Sequence, residues 1–378
     1  MAKHSRKILF VSANRGGGGS EELWVQTITK LKQLGCEVLS ATTWSTRAIA
    51  RMKQLEKNQI GHLDLNPSFA ERLIHRLSPK VASKRSKLSK VIRDWKPDLV
   101  FFNSGTLLDG ISLLQEIAST RVPYVTVTHL VSSDNWPDDL TSETLVHLFS
   151  EAKIAAFVSQ HNLSLFQTQT AAKLNNSRIW RNPYLVGHDR VATWPSEAIW
   201  RLAFPARIHP RTKGHDLLLD VLNQEKWRNR PLEVSIFGKG PWEKSLVRLI
   251  RMQDLESKVR FCGHVHDIQA VWDEHHALIL PSRHEGLPIC VVEALMAGRP
   301  CIVNPAGGSA ELIEDGITGF VSAECSAHAL DQAMERAWEN RNRWRQMGLT
   351  AAEHVRRIIP SDPAGVLAHE LLTLSSGN

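Results

Sequence analysis

Two glutamates stand eight positions apart in the stretch RHEGLPICVVEALMAGRP, residues 283–300, and their carboxylates are candidates for binding a ligand. Seven residues separate Glu285 from Glu293, and Pro288 stands between them. Proline suits the first helical position and disfavours helix for the residue before it, so we predict a helix from Pro288 to Gly298. Glu285 is then a loop residue and Glu293 a helical one.

The distance between these carboxylates decides between two kinds of chemistry. Along a continuous helix, eight steps of ~1.5 Å would place them about 12 Å apart. Carboxylates that act as acid and base on one glycosidic bond stand roughly 5 to 9.5 Å apart. Each glutamate is therefore expected to hold a different part of one elongated ligand. The alternative for each glutamate alone is a solvated carboxylate or a partner of the positive helix end.

The backbone between the two glutamates offers a site for phosphate. The amides of Gly286, Leu287 and Ile289 lie at the N-terminal end of the predicted helix, where anions bind. Pro288 has no amide hydrogen to donate. A molecule with hydroxyls at both ends and phosphates in the middle is a nucleotide-sugar, so the stretch indicates a nucleotide-sugar site.

Two cations occur in ARIHPRTKGHD, residues 206–216, which follows a predicted strand. Arg207 comes from the strand end and Lys213 from the loop beyond, and Gly214 turns the chain into the next helix. Two cations that converge on one diphosphate stabilise its leaving charge without a metal. The alternative is two surface cations on a loop.

A glycine-rich loop occurs in RGGGGSEELW, residues 15–24, directly after the first predicted strand. Its bare backbone lets a ligand approach closely, and Ser20 is placed to cap the following helix. The loop has the features of a phosphate cradle; the alternative is a plain turn. The dinucleotide motif G-x-G-x-x-G is not satisfied, because Glu21 stands three residues after Gly18.

These residues follow strands in a pattern that alternates strands with helices. Such a pattern predicts an α/β fold with parallel sheets covered on both faces and ligands at the carboxyl ends of the strands. In the first half we predict strands at 7–14, 36–44, 97–104, 123–129 and 154–160 and a helix at 20–35. In the second half we predict strands at 200–208, 232–240, 259–264, 276–282, 300–305 and 319–322, then helices at about 327–340, 341–358 and 363–374.

The length of 378 residues exceeds what one hydrophobic core usually supports, so we predict two domains. The segment 181–200 lacks periodicity and contains two prolines, which indicates an inter-domain linker. We therefore predict an N-terminal Rossmann-like domain at 1–185, a linker at 186–199, and a C-terminal Rossmann-like domain at 200–360 followed by a helix at 361–378. The two doubly wound sheets are expected to face a central cleft that holds the ligand.

Several classes of protein and site are disfavoured by the composition. The five cysteines include no Cys-x-x-Cys pair, so neither a zinc site nor a disulfide framework is implied. No Asp-x-Asp follows a strand end, and the adjacent Asp138 and Asp139 are predicted to be loop residues, so we expect no metal. No apolar run approaches the roughly 18 residues of a spanning helix. We expect a cytoplasmic protein, peripheral at the inner face of the plasma membrane.

The net charge of +7 is concentrated in the first half of the chain. Residues 72–96 contain nine Lys and Arg against one acid, Asp94, and such a segment fits an anionic membrane surface. The alternative is a solvated helix face. Nucleic acid is a disfavoured partner, because Trp95 is the one aromatic residue of this segment.

The stretch EGLPICVVEALMAGRPCIVNPAGGSAELIEDGITGFV resembles the donor-binding signature of the retaining glycosyltransferases of family four, which have the GT-B fold. ARIHPRTKG resembles the family's diphosphate element, and GGGGSEELW its N-terminal glycine loop. The resemblance spans about residues 7–360. It implies an acceptor-binding N-terminal domain, a nucleotide-sugar-binding C-terminal domain, and a C-terminal helix that crosses back to the first domain.

The resemblance also implies roles for individual residues. Glu293 would bind the nucleotide ribose and Glu285 the donor sugar, with Arg207 and Lys213 on the diphosphate. His129 falls where family members place a histidine near the transferred sugar; the alternative is a structural strand-end histidine. The remaining implied donor contacts are Gly18 and Gly19 beneath the phosphates, the loop residues Gly286, Leu287, Pro288 and Ile289, and Val265 of HVHD against the base. The family's usual acid after the histidine is Leu130 here.

The implied reaction moves a hexosyl group from a UDP-, GDP- or ADP-sugar to a saccharide or lipid-linked acceptor. The anomeric configuration is retained, and neither a metal nor another cofactor is required. An envelope or exopolysaccharide glycan is the expected product class. The alternatives are a nucleotide-sugar epimerase of similar fold and a non-catalytic nucleotide-sugar-binding protein.

Overall fold

The computed structural model describes residues 5–14, 19–43, 49–66, 86–196 and 198–374. The chain forms two compact units, one of residues 1–183 and 362–378 and the other of residues 184–361. Each unit is a parallel sheet covered by helices, as the alternating pattern predicts. Most of the basic segment 72–96 lies outside the described residues, as does Gly18.

The first unit is built on a parallel sheet, which in the described residues has the strand order β3-β2-β1-β4-β5-β6-β7. The strands are β1 Lys7–Ser12, β2 Glu37–Thr42, β3 Gly61–Asp64, β4 Leu99–Ser104, β5 Tyr124–Thr128, β6 Ile154–Phe157 and β7 Ser177–Ile179. Its helices are α1 Glu22–Gln33, α2 Ile49–Lys57, α3 Lys87–Trp95, α4 Ile111–Ser119, α5 Asp139–Glu151 and α6 Gln160–Thr170, and α15 Pro363–Leu374 at the end of the chain.

Apolar side chains on both faces hold this sheet between its helices. β1 and β4 are the central strands, and Phe10 and Phe101 pack with ring centroids 4.8 Å apart. Trp24 of α1 stacks on Phe10 at 6.1 Å and is buried, so it anchors the helix that follows the glycine loop. Burying a large aromatic side chain stabilises a fold by roughly 1.5 to 3 kcal/mol.

The C-terminal helix α15 packs on α1 of the first unit. Lys30 pairs with Asp362 at 2.8 Å, and Trp180 donates its indole hydrogen to Glu370 at 2.8 Å. Pro363 begins the helix where proline is tolerated. The chain therefore returns to the first unit after completing the second.

The second unit contains a parallel sheet with the order β10-β9-β8-β11-β12-β13 in the described residues. The strands are β8 Trp200–Pro205, β9 Leu232–Phe237, β10 Val259–Gly263, β11 Ala277–Leu280, β12 Cys301–Val303 and β13 Gly319–Val321. The helices are α7 Pro210–Lys213, α8 His215–Leu222, α9 Glu225–Arg228, α10 Glu243–Met252, α11 Ile268–Glu274, α12 Ile289–Met296, α13 Ala327–Glu339 and α14 Trp344–Ile358.

The predicted linker 186–199 is instead part of the second unit. Ala192 donates its amide to Ala297 at 2.9 Å, and the Thr193 amide donates to Asp273 at 2.8 Å. The buried guanidinium of Arg299 donates to the carbonyl of Thr193. It also donates to the carbonyls of Trp272 and His275, at the C-terminal end of α11. The segment lacks periodicity because its backbone bonds to these groups and not to a helix or sheet of its own.

Two local predictions are wrong. Ser20 does not cap α1: it lies in the 3₁₀ turn Gly19–Glu21, and its hydroxyl accepts a hydrogen bond from Asn14. Asp139 is not a loop residue, because it begins α5; Asp138, in the loop before it, caps that helix by accepting from the Thr141 amide at 2.8 Å.

Candidate active site

The loop and helix that contain the two glutamates follow β11, at the carboxyl edge of the second sheet. Pro288 has extended backbone angles, φ −71° and ψ 116°, and is the residue before α12. The helix therefore begins at Ile289, one residue later than predicted. Glu285 lies in the loop and Glu293 in the helix, as the proline predicts, and both side chains are buried.

Glu285 forms an ion pair with Lys213. The Nζ atom of Lys213 lies 2.6 Å from Oε1 of Glu285, and the Ser282 hydroxyl donates to the same oxygen at 2.7 Å. The structure thus brings together two residues that the sequence predicts for the sugar and the diphosphate. Lys213 neutralises the charge of Glu285, and no sequence motif points to Ser282 as a further partner.

The turn that contains Lys213 is fixed against the Glu285 loop by close backbone contacts. Gly214 has a φ of +69°, and a Cβ added there would lie 1.9 Å from the carbonyl oxygen of Pro281. The Arg283 amide donates to Thr212 at 2.8 Å, and its guanidinium binds Asp216 through two bonds of 2.9 and 2.7 Å. The backbone that carries Lys213 is therefore fixed against the Glu285 loop.

A second glycine-rich turn supports the Glu285 loop from the other side. Gly307 has a φ of +54°, and a Cβ there would lie 1.9 Å from the carbonyl oxygen of Glu285. The Gly308 amide donates to the Gly286 carbonyl at 2.7 Å. Within the described part of the chain, the amides of Gly286, Leu287 and Ile289 have no protein acceptor. These groups are arranged as donors for an anion at the start of α12.

Glu293 is a buried carboxylate that is able to accept further hydrogen bonds. Its side chain is buried, and Oε1 accepts the Leu185 amide at 2.9 Å. Burial raises the pKa of the Glu293 carboxyl to about 7, and the bond from Leu185 opposes that rise. Hydroxyls that donate to this carboxylate would favour its charged form.

Arg207 and Val265 line a cavity at the carboxyl ends of β8, β9 and β10. Its volume is about 320 Å³, and Arg207 is exposed at its wall beside Lys239 and His264. Gly238 allows the strand ends to meet, because a Cβ there would lie 2.1 Å from the Ala206 carbonyl oxygen. The structure therefore places Arg207 at this cavity and Lys213 on Glu285.

His129 lies in the first unit, at the end of β5, and its ring is buried. Its Nε2 contacts Oδ1 of Asn103 at 2.9 Å, and burial lowers the pKa of the imidazole to about 3. The ring is therefore neutral at physiological pH. Asn103 in turn donates to Glu21 at 3.0 Å, two residues after Gly19.

Glu21 and Asn103 are polar residues that no sequence motif marks as functional. Both are buried, which is unusual for these residue types without partners. The available signals were the asparagine at the end of the apolar strand LVFFNS and an acid directly after the glycine loop.

No group of three or more His, Cys, Asp and Glu side chains that could hold a metal ion occurs in the described residues. No helix among those residues is both long and apolar enough to cross a membrane.

A family model described as "Glycosyl transferases group 1" matches residues 200–340, which include the glutamate loop and both cations. The putative colanic acid biosynthesis glycosyltransferase WcaL of Salmonella typhimurium is 31% identical over 126 residues, 31% of each chain. An uncharacterized glycosyltransferase of Haemophilus influenzae is 21% identical over 345 residues, 90% of this chain and 93% of that one. The matches to WcaL and to the Vi polysaccharide biosynthesis protein of Salmonella typhi span 31% and 19% of those relatives' lengths.

Among solved structures, HepE of Anabaena in complex with UDP superposes with a TM-score of 0.77. The two chains are 19% identical, and the match covers 97% of this chain and 99% of HepE. This likeness establishes the fold, since the identity is low. With two Rossmann-like parallel-sheet units, this chain has the GT-B fold, and its residues 200–340 match the group 1 glycosyltransferases.

Proposed function

We propose that the protein is a retaining glycosyltransferase that moves a sugar from a nucleotide diphosphate donor to a saccharide or lipid-linked acceptor without a metal. The observation that carries the proposal is the Lys213–Glu285 pair beside the amides of the α12 start, which have no acceptor among the residues that the structure describes. A cation, backbone donors and a carboxylate within one loop cluster match the diphosphate and hydroxyls of a nucleotide-sugar.

The proposed chemistry follows from what each group offers. The Arg207 guanidinium, the Lys213 ammonium and the α12 amides take up negative charge as the bond between the anomeric carbon and the phosphate oxygen breaks. The acceptor hydroxyl attacks the anomeric carbon from the same face, and its proton passes to the departing phosphate oxygen. Retention then needs no nucleophile from the protein.

Glu285 and Glu293 are assigned to hydroxyls at opposite ends of the donor. Glu285 would accept from sugar hydroxyls while Lys213 moves toward the diphosphate, an exchange that leaves each charged group with hydrogen-bond partners. Glu293 would accept from the ribose hydroxyls, which favour its ionised form. His129, neutral and buried, is assigned to a hydroxyl of the transferred sugar.

UDP-sugars are the first donors to test, because structures of HepE contain UDP and UDP-glucose. Thermal unfolding with UDP, GDP and ADP identifies the nucleotide, since a ligand stabilises the native state as RT ln(1 + [L]/Kd). The sugars of that nucleotide are then incubated with p-nitrophenyl glycosides and with lipid-linked saccharides, and the product is measured by mass. The anomeric proton coupling reports retention, and EDTA reports any metal requirement.

The outcomes separate the alternatives. A product larger by one sugar, formed with retention in EDTA, supports the proposal. Interconversion of the donor sugar without transfer identifies an epimerase. Binding without turnover for every acceptor identifies a nucleotide-sugar-binding protein. Either of the last two results would remove the proposed activity.

A further inference from the structure

The first unit contains a buried hydrogen-bonded relay that connects the glycine-loop end of α1 to His129. Its members are Glu21, Asn103 and His129, and all three are buried. Asn103 Nδ2 lies 3.0 Å from Oε1 of Glu21, and Asn103 Oδ1 lies 2.9 Å from Nε2 of His129. We infer that Glu21 and Asn103 are positioning residues that hold His129 as the neutral tautomer with its hydrogen on Nε2.

The direction of the relay follows from which groups are able only to donate. The indole of Trp24 has a hydrogen and no lone pair, and it donates to Oε2 of Glu21 at 3.0 Å. The hydroxyl of Ser12 also contacts Glu21, at 3.1 Å from Oε1. Glu21 is therefore an acceptor within this cluster, as an ionised carboxylate is.

The orientation of the Asn103 amide is fixed by this acceptor. Its NH₂ group faces both Glu21 and Ser12, each at 3.0 Å, so its carbonyl oxygen faces His129. A carbonyl oxygen has no hydrogen to give, and Nε2 of His129 must donate to it. The remaining ring nitrogen, Nδ1, then carries a lone pair.

The backbone of His129 is held separately from its ring. The amide of His129 donates to Ser104 at 3.1 Å, and its carbonyl accepts from the Asn162 side chain at 3.2 Å. The main chain at the end of β5 therefore does not depend on Asn103. A change in Glu21 or Asn103 is expected to alter the tautomer of the ring more than the place of the residue.

The Nδ1 atom is the functional end of the relay. It is buried, and it has no hydrogen-bond partner among the described residues. A buried acceptor without a partner is uncommon in folded proteins, and a ligand hydroxyl is a donor that would satisfy it. The assignment of Nδ1 to a sugar hydroxyl rests on the proposed function. The tautomer of His129 does not depend on that function.

The tautomer is measured on the full chain labelled with ¹⁵N-histidine, without any substrate. His129 is assigned by the signals that disappear in His129→Gln. We expect Nε2 to be the protonated nitrogen in the wild type by about tenfold or more, the equivalent of one net hydrogen bond. A wild-type ring protonated on Nδ1 would overturn the inference whatever the activity of the protein.

Variants then test the direction of the relay. Glu21→Gln has an amide that is able to donate to Asn103, so Asn103 is expected to turn and the protonated nitrogen to change to Nδ1. Asn103→Leu removes the acceptor and is expected to mix the two tautomers. Ser104→Ala is the matched control, because Ser104 is the buried neighbour on β4 and bonds to Thr128 and Val127, outside the relay. Unchanged tautomers in both relay variants would contradict the inference.

Turnover distinguishes this inference from the proposed function. Once a transfer reaction is established, Glu21→Gln and Asn103→Leu are expected to lower kcat about tenfold or more and to leave the UDP-induced thermal shift unchanged. Wild-type kcat in variants whose tautomer has changed would show that the tautomer does not serve the reaction. Absence of any transfer by the wild type would remove the proposed function and leave the relay standing.

Discussion

The ammonium of Lys213 lies 2.6 Å from Oε1 of Glu285, although the two residues are 72 positions apart in the sequence. Their side chains are only 18% and 7% exposed. A pair this little exposed is costly to break, because the remaining charge stays in a poorly solvated place. The pair therefore has consequences for stability as well as for the proposed activity.

Replacing Lys213 by methionine leaves Glu285 without its cation. We expect the free energy of unfolding to fall by about 3 kcal/mol and transfer to fall by at least about a hundredfold, since a donor to the leaving diphosphate is lost. The double variant Lys213→Met, Glu285→Gln removes both charges and is expected to recover most of the stability but none of the activity. Denaturant unfolding and initial transfer rates measure the two effects.

The control for this prediction is Lys226→Met. Lys226 pairs with Asp331 at 2.8 Å, but its side chain is 39% exposed, and a surface pair of this kind contributes about 0 to 1 kcal/mol. We expect little loss of stability and full activity. Equal losses of activity in the Lys213 and Lys226 variants would contradict a special role for Lys213.

The sequence was sufficient to predict the elements that hold this pair, but not the pair itself. Pro288 marks the start of α12 to within one residue, and the apolar runs before Arg207 and Glu285 are strands. These signals are local, because proline geometry and β-branched runs act on their own neighbours. The Ser282 contact depends on the conformation of the Glu285 loop itself, and the Gly307 contact on how two separate loops meet, and residue spacing encodes neither.

The sequence pattern did not predict the short edge strands β3 and β7, because they too depend on neighbouring parts of the fold. β3 has the sequence GHLD and β7 has SRI, and neither alternates apolar with polar residues over enough length to indicate a strand. Each forms because a neighbouring strand supplies backbone partners. Similarly, the buried Glu21 and Asn103 contradict the usual preference of such residues for solvent, and hydrogen bonds to each other and to neighbouring side chains satisfy them.

The raised pKa of Glu293 makes stability depend on pH. The pKa is about 7 in the folded chain against an ordinary value of 4.5, so the native state binds more protons than the unfolded state between these values. Stability is therefore expected to fall as pH rises through that window. Glu293→Gln removes the titrating carboxyl and with it this pH dependence. The free energy of unfolding of the variant minus that of the wild type is therefore expected to rise between pH 4.5 and 8 by on the order of 3 kcal/mol.

Denaturant unfolding at pH 4.5, 6.5 and 8 tests this dependence. The control is Glu339→Gln at the exposed end of α13, whose curve is expected to run parallel to wild type. A Glu293→Gln curve that also runs parallel would contradict the raised pKa. UDP is expected to bind the wild type with release of a proton near pH 7, because ribose hydroxyls favour the charged carboxylate.

Arg207 is exposed, so its replacement separates binding from folding. We expect Arg207→Met to change the free energy of unfolding by less than about 0.5 kcal/mol, as at other surface positions. The affinity for UDP is expected to fall about tenfold or more, since a charge-assisted hydrogen bond is lost, with uridine binding unchanged. Calorimetry with the two ligands measures the difference.

Arg211→Met is the matched control for Arg207, because Arg211 is a second exposed cation in the same segment. If both variants lose UDP affinity equally, general electrostatic attraction explains the effect, and the diphosphate assignment of Arg207 fails. A loss of uridine affinity in Arg207→Met would point to the base instead.

Gly307→Ala tests whether the second glycine turn sets the position of the Glu285 backbone. The added Cβ would lie 1.9 Å from the Glu285 carbonyl oxygen, and the φ of +54° is unfavourable for alanine. Gly316→Ala is the matched control, since Gly316 also has a positive φ, +77°, but has no atom within 4 Å of an added Cβ. The control is expected to lose about 1 to 2 kcal/mol of stability from backbone strain alone.

Gly307→Ala is expected to lose more stability, because the 285–286 backbone must shift. It is also expected to weaken UDP binding about tenfold or more, because the amides of the α12 start are displaced. Thermal unfolding and UDP calorimetry measure both effects. If the two alanine variants lose equal stability and both bind UDP like the wild type, the contact between Gly307 and Glu285 does not shape the donor site.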